Sequence, residues 1–299
     1  MSRRGRSDDG PTGICIVDKP TGWTSHDVVA KTRGILGTRR VGHAGTLDPM
    51  ATGVLVLGVG KATRLLTFIT GVDKTYEARI TFGVETDSLD ADGTVTATHD
   101  MSGLTPEQVV SAASTLTGPI DQIPPMVSAI QVDGRRLHEL AREGIEIERA
   151  PRPVTIRRFD LTPTEDPLVW DAVVECSSGT YVRSLAADLG RALGGGAHLS
   201  GLRRTRVGPF DLVEAQPLSD DLSLLPAAAG VRHLGALTVD GELADHVRHG
   251  RVIDRDRLGA EGEGPWGVLD PDGALLAVYQ SHRDGTVKPA IVLAAPTAG

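Results

Sequence analysis

Between Tyr76 and Phe82 the side chains alternate, with Tyr76, Ala78, Ile80 and Phe82 on one side and Glu77, Arg79 and Thr81 on the other. A period of two belongs to a strand with one buried face, because successive side chains of a pleated chain point to opposite sides. Tyr76 heads the apolar face. Residues 54–59 are apolar without alternation, which predicts a strand buried on both faces. A shorter strand is expected over residues 13–17, turned by Asp18-Lys19-Pro20-Thr21-Gly22. Thr24 and Asp27 then have the spacing of a helix-capping box, Val28, Val29, Ile35 and Leu36 supply an apolar side, and Gly37 suits the helix end.

Thr105-Pro106-Glu107-Gln108 carries a second capping box with proline at the first helical position, and Gly118 is the expected stop. Residues 121–153 are rich in charge and proline. They read as an insertion, with Leu137, Leu140 and Ala141 marking a short helix. Strands are expected over 154–161 and 168–176. Thr180-Tyr181-Val182-Arg183 opens a helix with the apolar stripe Val182, Leu185, Leu189 and Leu193, and Arg183 falls one position off that stripe. Strand character resumes over 198–210, residues 220–232 read as a connector, and the tail is β-rich. The mixture is α+β, with more strands than simple βαβ alternation gives.

At 299 residues the chain exceeds the usual size of a single core, so a large domain with a small companion is expected. Hydrophobic residues make up 40% and charged residues 23%, ordinary values for a globular protein, while 36 glycines and 18 prolines indicate many turns. The apolar stretch 51–60 is about half of the ~20 residues a spanning helix needs. Residues 1–12 begin basic and turn polar, without the apolar core of a secretory signal, and read as a disordered tail. Cys15 and Cys176 are too few for a thiolate metal cluster, and a reducing cytoplasm fits.

The net charge of −8 argues against indiscriminate phosphate binding. Two arginine groups, Arg33-Arg39-Arg40 with His43 and Arg203-Arg204-Arg206, are either local RNA patches or solvated surface. Three other motifs fail on chemistry. Residues 58–63 lack the P-loop spacing and have Ala62 where a hydroxyl is needed. The loop from Ser88 through Asp90 and Asp92 begins with serine and has His99 where a calcium loop needs glutamate. His246 and His249 lack further ligands.

The distinctive constellation is Gly42-His43-Ala44-Gly45-Thr46-Leu47-Asp48-Pro49. Its glycines permit close backbone approach, which a flat substrate would demand, and Pro49 holds Asp48 extended. On residue chemistry alone, Asp48 is either a poised loop carboxylate or a turn residue capping backbone amides.

GHAGTLDPMATGVL resembles the catalytic motif of the TruB family of tRNA pseudouridine-55 synthases, whose aspartate is the nucleophile. Further segments resemble the family in order: VDKPTGWTSHDVV (17–29), DKTYEARITFGVETDSLDADG (73–93), PPMVSAIQVDGRRLHELAREG (124–144), SSGTYVRSLAADLG (177–190) and GAHLSGLRRTRVG (196–208). The resemblance runs from about Gly13 to Gly208. Residues 250–253 and 285–289 more weakly resemble a PUA-type RNA-binding module.

The resemblance implies a pseudouridine synthase-type, largely antiparallel mixed sheet with flanking helices over 13–228, and a small β-rich PUA-like domain over 229–299. It implies a flipped uridine, because a stacked base cannot be reached inside its loop. Asp48 would be the nucleophile and Arg183 its ion-pair partner, the alternative for Arg183 being a solvated surface arginine. Tyr76 would lie against the base and assist loss of the C5 proton, the alternative being a plain core tyrosine. His43 would stack within the rearranged T-loop or serve as a hydrogen-bonded loop histidine. Lys19, Tyr181 and Leu202 would shape the site. The isomerisation requires neither metal nor redox cofactor. The expected partner is the tRNA T-stem-loop, bound by a monomer without a membrane or a protein partner. Two rivals remain open: another RNA target, and a tRNA-folding chaperone.

Overall fold

The computed structural model describes residues 10–128, 131, 132, 135, 136, 143, 145 and 147–294. The short helix expected around Leu137 to Ala141 and the tail's first nine residues lie outside these. The principal elements are β1 (Gly13–Lys19), α1 (Ser25–Ile35), β2 (Val41–His43), β3 (Thr52–Val59), β4 (Lys74–Phe82), α2 (Pro106–Thr115), β5 (Gly118–Gln122), β6 (Arg152–Pro163), β7 (Val169–Cys176), α3 (Val182–Ala192) and β8 (Ala197–Val207). The C-terminal part adds β9 (Gly235–Thr238), α4 (Gly241–Arg248), β10 (Ile253–Asp254), α5 (Arg255–Leu258), β11 (Trp266–Leu269), β12 (Leu275–Ser281) and β13 (Thr286–Val292). Two compact units result: Met1–Asp48 with Val54–Gly71 and Gly208–Gly299, and Pro49–Gly53 with Val72–Val207.

In the first unit, β1 pairs in parallel with Gln216–Pro217, and β2 pairs antiparallel with β3. Both β1 and β3 are almost wholly buried, as their unbroken apolar runs require. The expected box caps α1: Thr24 Oγ1 accepts from Asp27 N at 3.0 Å and Asp27 Oδ2 accepts from Thr24 N at 2.9 Å. Such caps contribute about 1 kcal/mol each. The stretch expected to be a connector is knitted to β1. Ile14 and Leu225 exchange both backbone hydrogen bonds, and a side chain at Gly13 would strike the Leu225 carbonyl oxygen at 2.4 Å. The C-terminal strands of this unit form a five-stranded sheet in the order β9-β11-β12-β13-β10. Its core includes Val247, Trp266, Val268, Tyr279 and Val287, and buried Tyr279 satisfies its hydroxyl by donating to the Arg251 carbonyl at 2.8 Å. This is the β-rich C-terminal sheet expected of a PUA-like domain.

The second unit is built on antiparallel strands in the order β8-β4-β7-β6-β5, with Thr52 and Gly53 pairing in parallel on β8. Alternating burial along β4 matches its period of two. Helix α2 has both halves of its capping box and stops at Thr115, before Gly118. Its last turn tightens, Leu116 N–H reaching the Ala113 carbonyl at 3.1 Å, and Gly118 instead opens β5 at φ +99. Helix α3 is buried on nearly every side, not along one stripe. Its small residues allow this: a side chain at Gly190 would meet Ala197 N at 2.4 Å.

Candidate active site

Lys19, His43 and Asp48 belong to the first unit. Lys19 ends β1 with no exposure to solvent, and its ammonium donates to the carbonyls of Pro20 at 3.0 Å and Trp23 at 2.5 Å. A buried ammonium must find acceptors, so the turn into α1 wraps around it. His43 ends β2, and its ring meets the His26 ring edge-on at 5.5 Å with planes at 80°. Asp48 is half-buried in the loop that follows, so its carboxylate is neither sealed in a core nor fully solvated. The residue before it is fixed to α1: Leu47 N–H donates to Ser25 Oγ at 2.8 Å, and Ser25 Oγ–H donates to the Leu47 carbonyl at 3.1 Å.

Two glycines of the motif hold backbone conformations that other residues rarely adopt. Gly45 lies at φ +88. Gly53 lies at φ +102, where a side chain would strike the Arg204 carbonyl oxygen at 2.1 Å. Only glycine lets this strand approach β8 so closely.

The second unit holds Tyr76, Tyr181, Arg183 and Leu202. Tyr76 is 7% exposed on the apolar face of β4, opposite Val174 on one side and Arg204 on the other. Half-buried Leu202 stands opposite Ala78. Tyr181 caps α3 and exchanges two hydrogen bonds with the buried amide of Gln122: its N–H donates to Oε1 at 2.7 Å, and Nε2 donates to its carbonyl at 3.0 Å. Arg183 is 3% exposed, which removes the surface-arginine alternative. It pairs with Asp90 at 3.2 Å and donates to the carbonyls of Ser88 and Val127, each at 2.9 Å. Asp90 in turn accepts from Ser88 Oγ at 2.5 Å and from Asp92 N at 3.2 Å.

Asp90, Gln122 and Ser25 are the residues that sequence reading missed. Asp90 stood in plain view within the rejected calcium loop, and its signal was an acidic residue inside a segment, 73–93, that already resembled the family. The loop holds a guanidinium where a metal was considered.

The second arginine group does not form one patch. Arg204 is 1% exposed, while Arg203 Nη1 reaches Thr52 Oγ1 at 3.2 Å and Arg206 is exposed. Nearby, buried Lys74 is pushed down to about 8, first by desolvation and then by the Arg204 charge. In the first unit, by contrast, Arg39 and Arg40 join Lys61 and Arg64 around an open cleft of about 710 Å³. Among the described residues its lining carries no acidic side chain. This concentrates positive charge locally in a protein whose net charge is −8.

Comparison with known proteins identifies the family. Residues 33–182 match the TruB family pseudouridylate synthase N-terminal domain, and residues 183–224 match the tRNA pseudouridylate synthase B C-terminal domain. The tRNA pseudouridine synthase B of Rhodococcus jostii (strain RHA1) is 50% identical over 293 residues, spanning 94% of this chain and 95% of that protein. The protein of the same name from Arthrobacter sp. (strain FB24) is 46% identical over 300 residues, spanning 95% and 97%. Among solved structures, a chain of a Cbf5-Nop10-Gar1 complex superposes with a TM-score of 0.72 at 25% identity, covering 95% of this chain and 85% of that one. The chain belongs to the TruB family of pseudouridine synthases.

Proposed function

We propose that the protein is a tRNA pseudouridine synthase that isomerises uridine-55 in the T-loop. The observation that carries this reading is the near full-length similarity to synthases of that name, together with Asp48 on a loop fastened to α1. The reaction breaks the bond from uracil N1 to ribose C1′, turns the base and rejoins it through C5. The C5 proton leaves and N1 gains one, so nothing is oxidised or consumed.

The protein therefore contributes position and charge. Flipping the uridine costs a few kcal/mol. Stacking by His43 and phosphate contacts along the Arg39, Arg40, Lys61 and Arg64 cleft offset that cost. Asp48 adds as the carboxylate to C1′ or to the ring, and an ordinary aspartate is already ionised at neutral pH. Tyr76 lies against the base and assists proton loss from C5, where stacking typically contributes ~1–3 kcal/mol. Arg183, held rigid by Asp90, supplies the fixed positive charge. Lys19, Tyr181 and Leu202 shape the surroundings. Residues 13–228 carry the chemistry and 229–299 serve as a PUA-like RNA-binding module. A cytoplasmic location is supported by Cys15 and Cys176, both buried free thiols.

Incubating the protein with an unmodified tRNA transcript and mapping pseudouridine tests this reading. Product at the T-loop uridine alone is expected, and an unmodified T-loop refutes it.

A further inference from the structure

The first turn of α1 meets the loop that carries Asp48 at two points, where the loop leaves β2 and immediately before the aspartate. At the end of β2, His26 sets its ring edge-on against His43, in the T-shaped geometry that favours one relative orientation of two aromatic rings. At Leu47, immediately before Asp48, Ser25 makes a two-bond clamp, accepting from the Leu47 N–H and donating to its carbonyl. Ser25 is wholly buried, and Leu47 is 22 residues away along the chain and 3% exposed. A hydroxyl can both donate and accept, and here both capacities close on a single residue. The helix turn that bears the clamp is itself fixed, by the Thr24–Asp27 box on one flank and by Lys19 gripping the Trp23 carbonyl on the other.

We propose that Ser25 is a positioning residue for the reaction, its clamp on Leu47 fixing where the adjoining Asp48 carboxylate stands. This rests on the role of Asp48 proposed above. The physical ground is the steep dependence of a reaction step on placement: a misplacement of about 1 Å costs about 10²-fold in rate. Losing the hydroxyl leaves the N–H and carbonyl of Leu47 without the partner they share, in a place that solvent does not reach. The loop then settles elsewhere, and Asp48 moves with it. Ser25 itself touches no RNA in this scheme, so the defect falls on the rate and not on affinity.

The test is single-turnover pseudouridine formation on unmodified tRNA, with tRNA affinity measured separately by filter binding and folding followed by thermal melting. Ser25→Ala is expected to lower the rate at saturating enzyme about 10- to 100-fold with the tRNA Kd changed by less than about twofold. Ser25→Cys, close to serine in size but a weak hydrogen-bonding group, is expected to fall between the two, and it carries the test if Ser25→Ala does not fold. A folded variant that keeps its rate within about twofold of wild type overturns the proposal, as does a loss of rate matched by an equal loss of affinity. Failure of the underlying reaction is distinguishable, because wild type in the same assay would then form no pseudouridine.

Discussion

Arg183 and Asp90 form an ion pair at 3.2 Å with both side chains almost wholly withdrawn from solvent. The guanidinium also donates to two backbone carbonyls, and the carboxylate also accepts from a serine hydroxyl and a backbone amide. A buried pair adds stability only when its remaining donors and acceptors are satisfied, and these contacts serve that end. The pair fastens the first turn of α3 to the loop after β4.

Removing one partner of such a pair strands the other charge in a low-dielectric setting, at a cost of about 3–5 kcal/mol. Asp90→Asn is therefore expected to lower unfolding stability by about 3 kcal/mol in urea titrations. It should also slow the single-turnover rate by more than about tenfold, through loss of Arg183's fixed placement. A variant as stable and as fast as wild type would remove Arg183 and Asp90 from the account.

Lys74 gives a pH signature. Its ammonium is buried near the charge of Arg204, and its folded value of about 8 lies below the ordinary 10.5. The unfolded chain thus binds the proton more tightly. The penalty is fully present below about pH 8 and is relieved as pH rises through the interval up to 10.5. Its size is on the order of 3 kcal/mol. Lys74→Met should then gain stability relative to wild type near pH 7, with the difference shrinking between pH 8 and 10.5. Melting curves of both proteins across that range check it, and a difference independent of pH would contradict it.

Gly53 is constrained twice, by its positive φ and by the Arg204 carbonyl. Gly53→Ala must push β3 away from β8 and is expected to cost more than about 2 kcal/mol. Gly22, also at positive φ but with open space around its Cβ position, is the control: Gly22→Ala should cost only about 1 kcal/mol. Equal effects at the two sites would mean that the close approach contributes nothing.

The basic cleft predicts salt dependence. If Lys61 and Arg64 each neutralise one phosphate, the double variant Lys61→Ala/Arg64→Ala should bind tRNA more weakly. It should also reduce the slope of log affinity against log salt by roughly two. Filter binding between low and moderate salt measures the slope. An unchanged slope would place the RNA elsewhere.

Local structure was the most legible layer of the sequence. Thr24 with Asp27 and Thr105 with Gln108 announce helix starts because a cap is a contact between residues three apart. The alternation along β4 is equally local. The end of α2 was misplaced because a tightened last turn, not the glycine, closes it. The burial of Arg183 was hidden because helix periodicity shows one stripe, while α3 is buried on nearly all sides and the partners of Arg183, at Ser88, Asp90 and Val127, lie more than 50 residues away. Lys19, His43, Asp48, Tyr76, Tyr181 and Leu202 stood out through family resemblance. Ser25, Asp90 and Gln122 did not, since their partners lie many positions away and only the fold brings them together. Gly53 was visible in the motif, but the crowding that requires it was not, because the strand that crowds it lies 151 residues on.

The central claim is that the Asp48 carboxylate makes the covalent attack, and Asp48→Asn tests it most directly because asparagine keeps the shape and removes the charge. Single-turnover assays on unmodified tRNA should show pseudouridine formation at the T-loop by wild type and a fall of at least ~10³-fold in the variant, with tRNA binding retained. Isomerisation by Asp48→Asn at a rate near that of wild type would contradict the account.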